Sequence, residues 1–539
     1  MIRMRRRRPW LGAAGAAALA LAAPGLAAAQ NPDTQNPDTQ NPDTQNLEAL
    51  QQRLEALEAK IEAQETEIRE LKAARSGAQV VREAQAPPAA ALAANRADEP
   101  PAEPSGAVHT SLPNGRPTFA SADGRFDASL RAIVHFDYAD YLQDRAGPLN
   151  VDFRRGASPD DTARARDLSS GFALRRGRIG VDGKVFDDFD YNVMLEFGGG
   201  AGPRIVQAWG QYNGLHPLHL RLGVFGPNDD IEGNSPKNAF PLMETASVVS
   251  TARGLASGDG RFTAQAFGYG RRWLVSAALT GSTFNDAGKF YDDQTAFVGR
   301  VAGRPLMWKD GFLHLGAEYT YVIRPPDAGG PDAPADQRRT VEFSARPEVR
   351  VDNTRIIGTG EIAADHAFTS AVEFAFQQRN LLVYGEYSRF GVNRPPGPLS
   401  DPRFYGWFVS ANWMLTGEAR RYNMQNASID APPVHRPFDP AGGGWGAFEL
   451  SARYSVVNLD WRAGAEGAPT PVDGVRGGEE QTISAGLNWY LNPTVRLMLG
   501  LQDVRIRRLS PDPVLFQTPV GAQIGQRFQV VTFRSQLAF

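Results

Sequence analysis

The sequence predicts an all-β protein, a 16-stranded antiparallel transmembrane β-barrel preceded by a short N-terminal coiled-coil helix, and three observations point to it. Apolar and polar residues alternate with period two through the 435 residues that follow position 104 of the 539. No uninterrupted apolar run reaches the roughly 18 residues that a membrane helix needs, and mean hydropathy is −0.37. The chain also closes on a strand-like segment, Gln529 to Phe539, with Val531, Phe533, Leu537 and the terminal Phe539 on one parity.

Composition narrows the alternatives. With 42% apolar, 10% aromatic and 22% charged residues the chain is neither disordered nor collagen-like. Its 57 basic and 60 acidic side chains give a net charge of −3, so no basic excess asks for a nucleic-acid partner. Cysteine is absent, which excludes disulfides, thiolate zinc sites, iron–sulfur clusters and cysteine nucleophiles.

From the N-terminus, Arg3 and Arg5 to Arg8, the apolar run Leu11 to Ala23 and the small residues ending at Ala29 read as a secretory signal peptide over 1–29. The unit Gln-Asn-Pro-Asp-Thr then repeats three times, and Pro32, Pro37 and Pro42 forbid a continuous helix, so 30–46 is a spacer. In 47–75, Leu47, Leu50, Leu54, Leu57, Ile61, Gln64, Ile68 and Leu71 alternate steps of three and four. That spacing keeps one narrow apolar seam on a helix, the coiled-coil pattern. An amphipathic helix lying on a barrel would need a wider stripe. Residues 76–116, rich in proline and alanine, read as a linker, and 117–539 as the barrel domain.

Within that domain Phe126, Ala128, Leu130, Ala132, Val134, Phe136 and Tyr138 share one parity against Asp127, Ser129, Arg131 and His135. The same alternation returns at Leu218 to Val224, Leu313 to Tyr321, Phe448 to Val456 and Ile483 to Leu491. A soluble sandwich alternates too. The spacing of about seventeen candidate strands suits long hairpins with one short and one long connection. Aromatics gather near strand ends, as in Tyr405 to Phe408 with Trp413, Tyr269 with Trp273, and Trp489 with Tyr490, as interfacial girdles do. Bacterial barrels take even strand numbers, and dropping the weakest segment, Thr340 to Pro347, leaves sixteen.

Several segments in order carry a family resemblance: Leu174-Arg175-Arg176-Gly177-Arg178-Ile179-Gly180-Val181-Asp182-Gly183, Arg346-Pro347-Glu348 with Val349 to Asp352, and Tyr405-Gly406-Trp407 leading to Trp413 to Glu418. Trp445 to Ser455 and Gly486-Leu487-Asn488-Trp489-Tyr490-Leu491-Asn492-Pro493 complete the set. From about Phe126 to Phe539 the chain resembles the phosphate-selective porins of the O and P type. The resemblance implies a sixteen-stranded, homotrimeric outer-membrane channel, embedded in outer-membrane lipid, for phosphate, polyphosphate or other small anions. It also implies no cofactor and no metal.

Such a pore selects by width and by the charges at its narrowest part. Arginine replaces an anion's lost water with paired donors and stays charged. Parity directs Arg131, Arg176, Arg178, Lys184, Arg221, Arg300, Arg304, Arg453 and Arg534 to the lumen, where each either meets the solute or pairs with Asp182, Glu318 or Glu449. The best candidate for an infolded constriction loop is Pro227 to Arg253, with Asp229, Asp230, Glu232, Lys237 and Arg253. Of the 57 basic residues six are lysines, leaving 51 arginines, so no lysine-rich vestibule is visible, and Asp229-Asp230-Ile231-Glu232 sets acid where an anion filter wants base.

Two other readings stand beside the channel. An outer-membrane barrel enzyme of lipase or protease type would need a Ser/His/acid or paired-carboxylate constellation. None of the seven histidines has metal spacing, and no Gly-x-Ser-x-Gly elbow occurs. A tether would use the heptads to hold the barrel to the cell wall or a periplasmic partner.

Overall fold

The structure, a computed structural model, describes residues 108–143, 168–200, 202–286, 288–511 and 521–539. The signal peptide, repeat spacer, heptad segment and the linker as far as position 107 lie outside the described residues.

Sixteen antiparallel strands close on themselves. They are β1 (Phe126–Leu142), β2 (Gly171–Val185), β3 (Phe189–Glu196), β4 (Arg204–Leu215), β5 (Leu218–Val224), β6 (Arg261–Tyr269), β7 (Trp273–Thr283) and β8 (Thr295–Trp308). The second half comprises β9 (Gly311–Arg324), β10 (His366–Gln378), β11 (Leu381–Asn393), β12 (Arg403–Met414), β13 (Ala447–Trp461), β14 (Val475–Tyr490), β15 (Val495–Arg507) and β16 (Arg527–Ala538). Each pairs with the next, and β16 returns to β1 from Gln529↔Leu142 to Ala538↔Ile133. Closure leaves no unpaired barrel edge, which a lipid interior demands because it offers backbone groups no hydrogen bonds. Below Ile133, where β16 has ended, a hairpin of Val108–Ser111 and Thr118–Ser121 pairs with β1 at Asp127 to Ser129. Thr340–Val341 and Ser344–Ala345 form small ribbons with Ile362–Ala363 and Ile357–Gly358 inside a loop, not a wall strand.

The alternation of sequence becomes two faces. Phe136, Val301, Leu315, Val372, Leu450, Ile483, Leu499 and Leu501 point outward and are exposed, as the lipid side of a barrel must be. Aromatics flank this band: Trp273, Trp308 and Trp413 at one end, Tyr319, Tyr387 and Tyr405 toward the other. Phe408 and Tyr490, which the sequence also places near strand ends, are instead buried inside.

One end carries the short turns 186–188, 216–217, 270–272, 309–310 and 379–380. The other carries long loops, of which 225–260 and 325–365 are the longest fully described. In outer-membrane barrels short turns are periplasmic and long loops extracellular. One connection breaks the pattern: 415–446, between β12 and β13, is a long segment at the turn end.

Candidate functional site

The lumen is filled by its own loops, and inward-facing side chains of the wall hold them there. Loop 225–260 contains helix α1 (Ser247–Ala256). The carboxylates of Glu232 and Glu348 accept from the backbone N–H groups of Ala246 (2.8 Å) and Ser247 (3.1 Å), where the helix leaves donors unsatisfied. Arg453 of β13 bridges those same two acids, pairing with Glu232 and with Glu348 at 3.1 Å. Arg534 of β16 makes a two-pronged pair with Asp137 (2.6 Å and 2.6 Å) and donates to Met243 O and Glu244 Oε1. Arg496 of β15 and Asn488 of β14 donate to the carbonyls of Phe240 (2.8 Å) and Pro241 (2.7 Å).

Two inward glycines make this docking possible. A Cβ on Gly406 would lie 2.7 Å from Val248 of α1, and one on Gly486 would lie 2.9 Å from Leu242. Gly406, Gly486, Asn488, Glu348 and Arg453 all sit in the segments that carry the family resemblance. Their shared role in this structure is to seat the lumen loops.

The turn-end segment 415–446 enters from below. Arg300 donates to Asn426 O (2.8 Å) and Ala427 O (2.9 Å), the Tyr422 hydroxyl meets His314 Nδ1 at 2.7 Å, and Ile429 N donates to Ser235 Oγ of the upper loop. Arg420 grips Glu449 through both oxygens (2.6 Å and 2.8 Å).

The predicted lumen residues divide. Arg300, Arg453 and Arg534 point inward but are fully buried as loop clamps. Arg300 stands beside Glu318 across the ladder, yet its guanidinium pairs with Glu373 at 2.6 Å. Arg131 faces Asp182 at 3.5 Å. Arg221 stacks on Trp209, with its guanidinium carbon 4.3 Å from the ring centre, and Arg304 on Tyr422 at 4.6 Å. Lys184 is exposed at the turn-end mouth, beside Asp190 in register.

Arg176, Arg178, Lys237 and Arg253 converge with five cations that parity did not select, Arg175, Arg204, Arg346, Arg350 and Arg355. Together they line a cavity of about 390 Å³ between β2, β4 and loops 225–260 and 325–365, facing only two acids, Glu244 and Asp259. Arg175 reaches it through a bulge. The register skips between His135↔Arg176 and Phe136↔Leu174, so Arg175 is the extra residue and both arginines turn inward. Arg346, Arg350 and Arg355 arrive on a loop whose path no periodicity announces. Arg346 and Arg350 had one signal in the sequence, the Arg346 to Asp352 segment of the family resemblance, and Arg355 had none.

Glu244 is the hub. Arg175 chelates it (2.7 Å and 2.9 Å), and Arg176 and Arg350 each stand 3.6 Å away. Burial works to raise its carboxyl, but Arg175, Arg176, Arg350 and Arg534 together hold it well below the usual carboxylate range. Asp259 is likewise depressed against its burial by Lys237, Arg178 and Arg253. Burial pushes the Lys237 ammonium down to about 8, with its Nζ donating to Gly233 O at 2.8 Å. Desolvation and the neighbouring Arg175 likewise penalise the charge of Arg350. Arginine nonetheless stays protonated at any accessible pH, so the positive charge left after Glu244, Asp259, Glu196 on Arg178 and Asp229 and Asp230 on Arg253 is one that an anion relieves. Arg204 has no ion pair among the described residues. The cavity's donors and surplus charge suit a small polyoxyanion held by several charge-assisted hydrogen bonds.

A closed sixteen-stranded wall, apolar outside and ionic within, and a lumen narrowed by infolded loops define an outer-membrane porin. The chain belongs to the phosphate-selective porin O and P family, whose profile matches residues 149–539. An uncharacterised protein of Caulobacter vibrioides is 24% identical over 413 residues, covering 72% of this chain and 71% of that one. Porin O of Pseudomonas aeruginosa is 22% identical over 367 residues, 62% of this chain and 77% of its own. Among solved structures, the outer-membrane protein OmpT of Vibrio cholerae aligns with a TM-score of 0.44 at 9% identity, over 77% of this chain and 98% of that one. Barrel and family place the protein in the bacterial outer membrane.

Proposed function

We propose that the protein is a passive, anion-preferring porin whose lumen admits phosphate, polyphosphate or other small anions through the basic cavity. The observation that carries this reading is the local surplus of nine basic over two acidic side chains lining the cavity, still nine over five once Glu196 on Arg178 and Asp229 and Asp230 on Arg253 are counted, in a chain whose net charge is only −3. A cleft of one charge sign with low-dielectric walls concentrates counter-ions, so local placement outweighs the neutral whole. Transport needs no chemistry, and no cofactor enters it. In the same reading the N-terminal signal peptide is removed on export, outer-membrane lipid covers the apolar belt, and the heptads serve a homotrimer or a contact with the cell wall.

The test is the reversal potential of the purified protein in a planar bilayer under a potassium chloride gradient, repeated with phosphate on one side. Anion selectivity, with chloride current blocked by phosphate and the block relieved in Arg204→Ala/Arg355→Ala, is expected. A cation-selective reversal potential overturns the reading.

A further inference from the structure

Opposite the basic cavity, the loop presents acid to the wall. Oxygens of Asp229 and Asp230, on the loop, and of Glu318, on β9, all lie within 4.8 Å of one another, and all three residues are buried. Glu386 of β11 is a fourth carboxylate, 4% exposed, and the charges of Asp229, Asp230 and Glu318 all couple to it. On β10, between them, Ala371 stands in register with Glu318 and Glu373 with Glu386.

The cations present do not balance this group. Arg253 bonds Asp229 and, at 3.2 Å, Asp230, but it is shared with Asp259. The neighbouring Glu373 is already answered by Arg300 and His314. Asp229 Oδ2 and Glu386 Oε2 are buried without a hydrogen-bond partner, and among the described residues no ion pair answers Glu318, which is 9% exposed. A buried carboxylate left without donor or counter-charge is costly. Carboxylate oxygens converging from a strand and a loop are what a hard cation takes as ligands. Oxygens on opposite sides of a calcium ion, each at about 2.3–2.6 Å, stand roughly 4.6–5.2 Å apart.

We propose that Asp229, Asp230 and Glu318, with the charge of Glu386 nearby, bind a hard divalent cation, best matched by Ca2+, that ties the acidic edge of the infolded loop to the barrel wall. The ion cancels most of the negative charge that this group turns toward the lumen. Binding is read without any current, so this inference stands or falls apart from the transport reading.

The full chain, refolded in detergent free of lipopolysaccharide and stripped with chelator, is titrated with Ca2+ and separately with Mg2+ by calorimetry. One ion per chain is expected, with thermal unfolding moved upward by the ion because it binds only the folded barrel. Glu318→Gln/Glu386→Gln should lose both the heat and the shift. Where the double variant does not assemble, Glu318→Gln alone carries the test, since it removes one of the three converging carboxylates and leaves Glu386 on Ser388 at 2.6 Å. No uptake of either ion, or uptake unchanged by the substitutions, overturns the proposal.

Discussion

Lys237 and Glu244 illustrate how one side chain in the lumen can serve selectivity or architecture. Lys237 is the only lysine of the basic cavity, and burial lowers it to about 8. Its folded value lies below that of an exposed lysine, so the unfolded chain holds the extra proton between about pH 8 and 10.5, and this group favours folding more as pH rises through that window. The lumen meanwhile loses one positive charge. Anion selectivity measured by reversal potential in chloride should therefore decline between pH 7 and 9, and Lys237→Met should abolish that step, because the arginines do not titrate there. Glu244 answers four guanidiniums, so Glu244→Gln leaves buried cations uncompensated. A loss of about 3–5 kcal/mol is expected in urea unfolding of the refolded barrel. An unchanged midpoint would show that water or salt already screens the cluster. Breaking the exposed outer pair Arg527–Asp503, at 2.9 Å, should by contrast leave the unfolding midpoint nearly unchanged, because water screens it.

The connecting segments, not the strands, shape the passage. A strand needs only alternation, whereas a loop inside a barrel must have its backbone polar groups answered by the wall. Arg453, Arg496, Asn488 and Arg534 do this for 225–260, and Arg300 does it for 415–446. Two loop trimmings should therefore differ in single-channel recordings. Replacing 421–431 with a short glycine linker removes the segment beneath Arg300 and should raise conductance while leaving anion preference in place. Replacing 227–253 removes Lys237, Glu244 and Arg253, and should raise conductance and lower anion preference together. Equal effects of the two would deny the basic cavity its role.

For the whole molecule, outside and inside obey opposite rules. Leu, Val and Ile face lipid, while Arg300, Arg496 and Arg534 are among the most buried side chains. The lumen is thus an ionic core, held by pairs that stabilise only while both partners remain. The N-terminal heptads make a separate prediction. Deleting 47–71 should change oligomeric state in light scattering or attachment to cell-wall fractions, with ion selectivity of the inserted channel retained. A change in selectivity would mean that the segment acts on the pore itself.

Period-two alternation determined the inward and outward faces of the strands, and together with strand spacing, aromatics near strand ends, the terminal strand and the evenness of strand number it pointed to a barrel of sixteen. The two faces are a property of the pleat, which fixes the facing of every second side chain wherever the ladder stays regular. It also singled out Pro227 to Arg253, because glycine, proline and acid in a long gap between strands leave no wall to build. The tertiary structure decided the rest. Arg175 joined the cavity because a bulge reset its parity, Arg346, Arg350 and Arg355 because a loop folded back, and Arg300 chose Glu373 over its ladder neighbour Glu318. Charges that meet across a lumen are separated by hundreds of residues or by a closure of the whole sheet. Their partners therefore follow from how the barrel closes and where its loops come to rest, which no local period encodes.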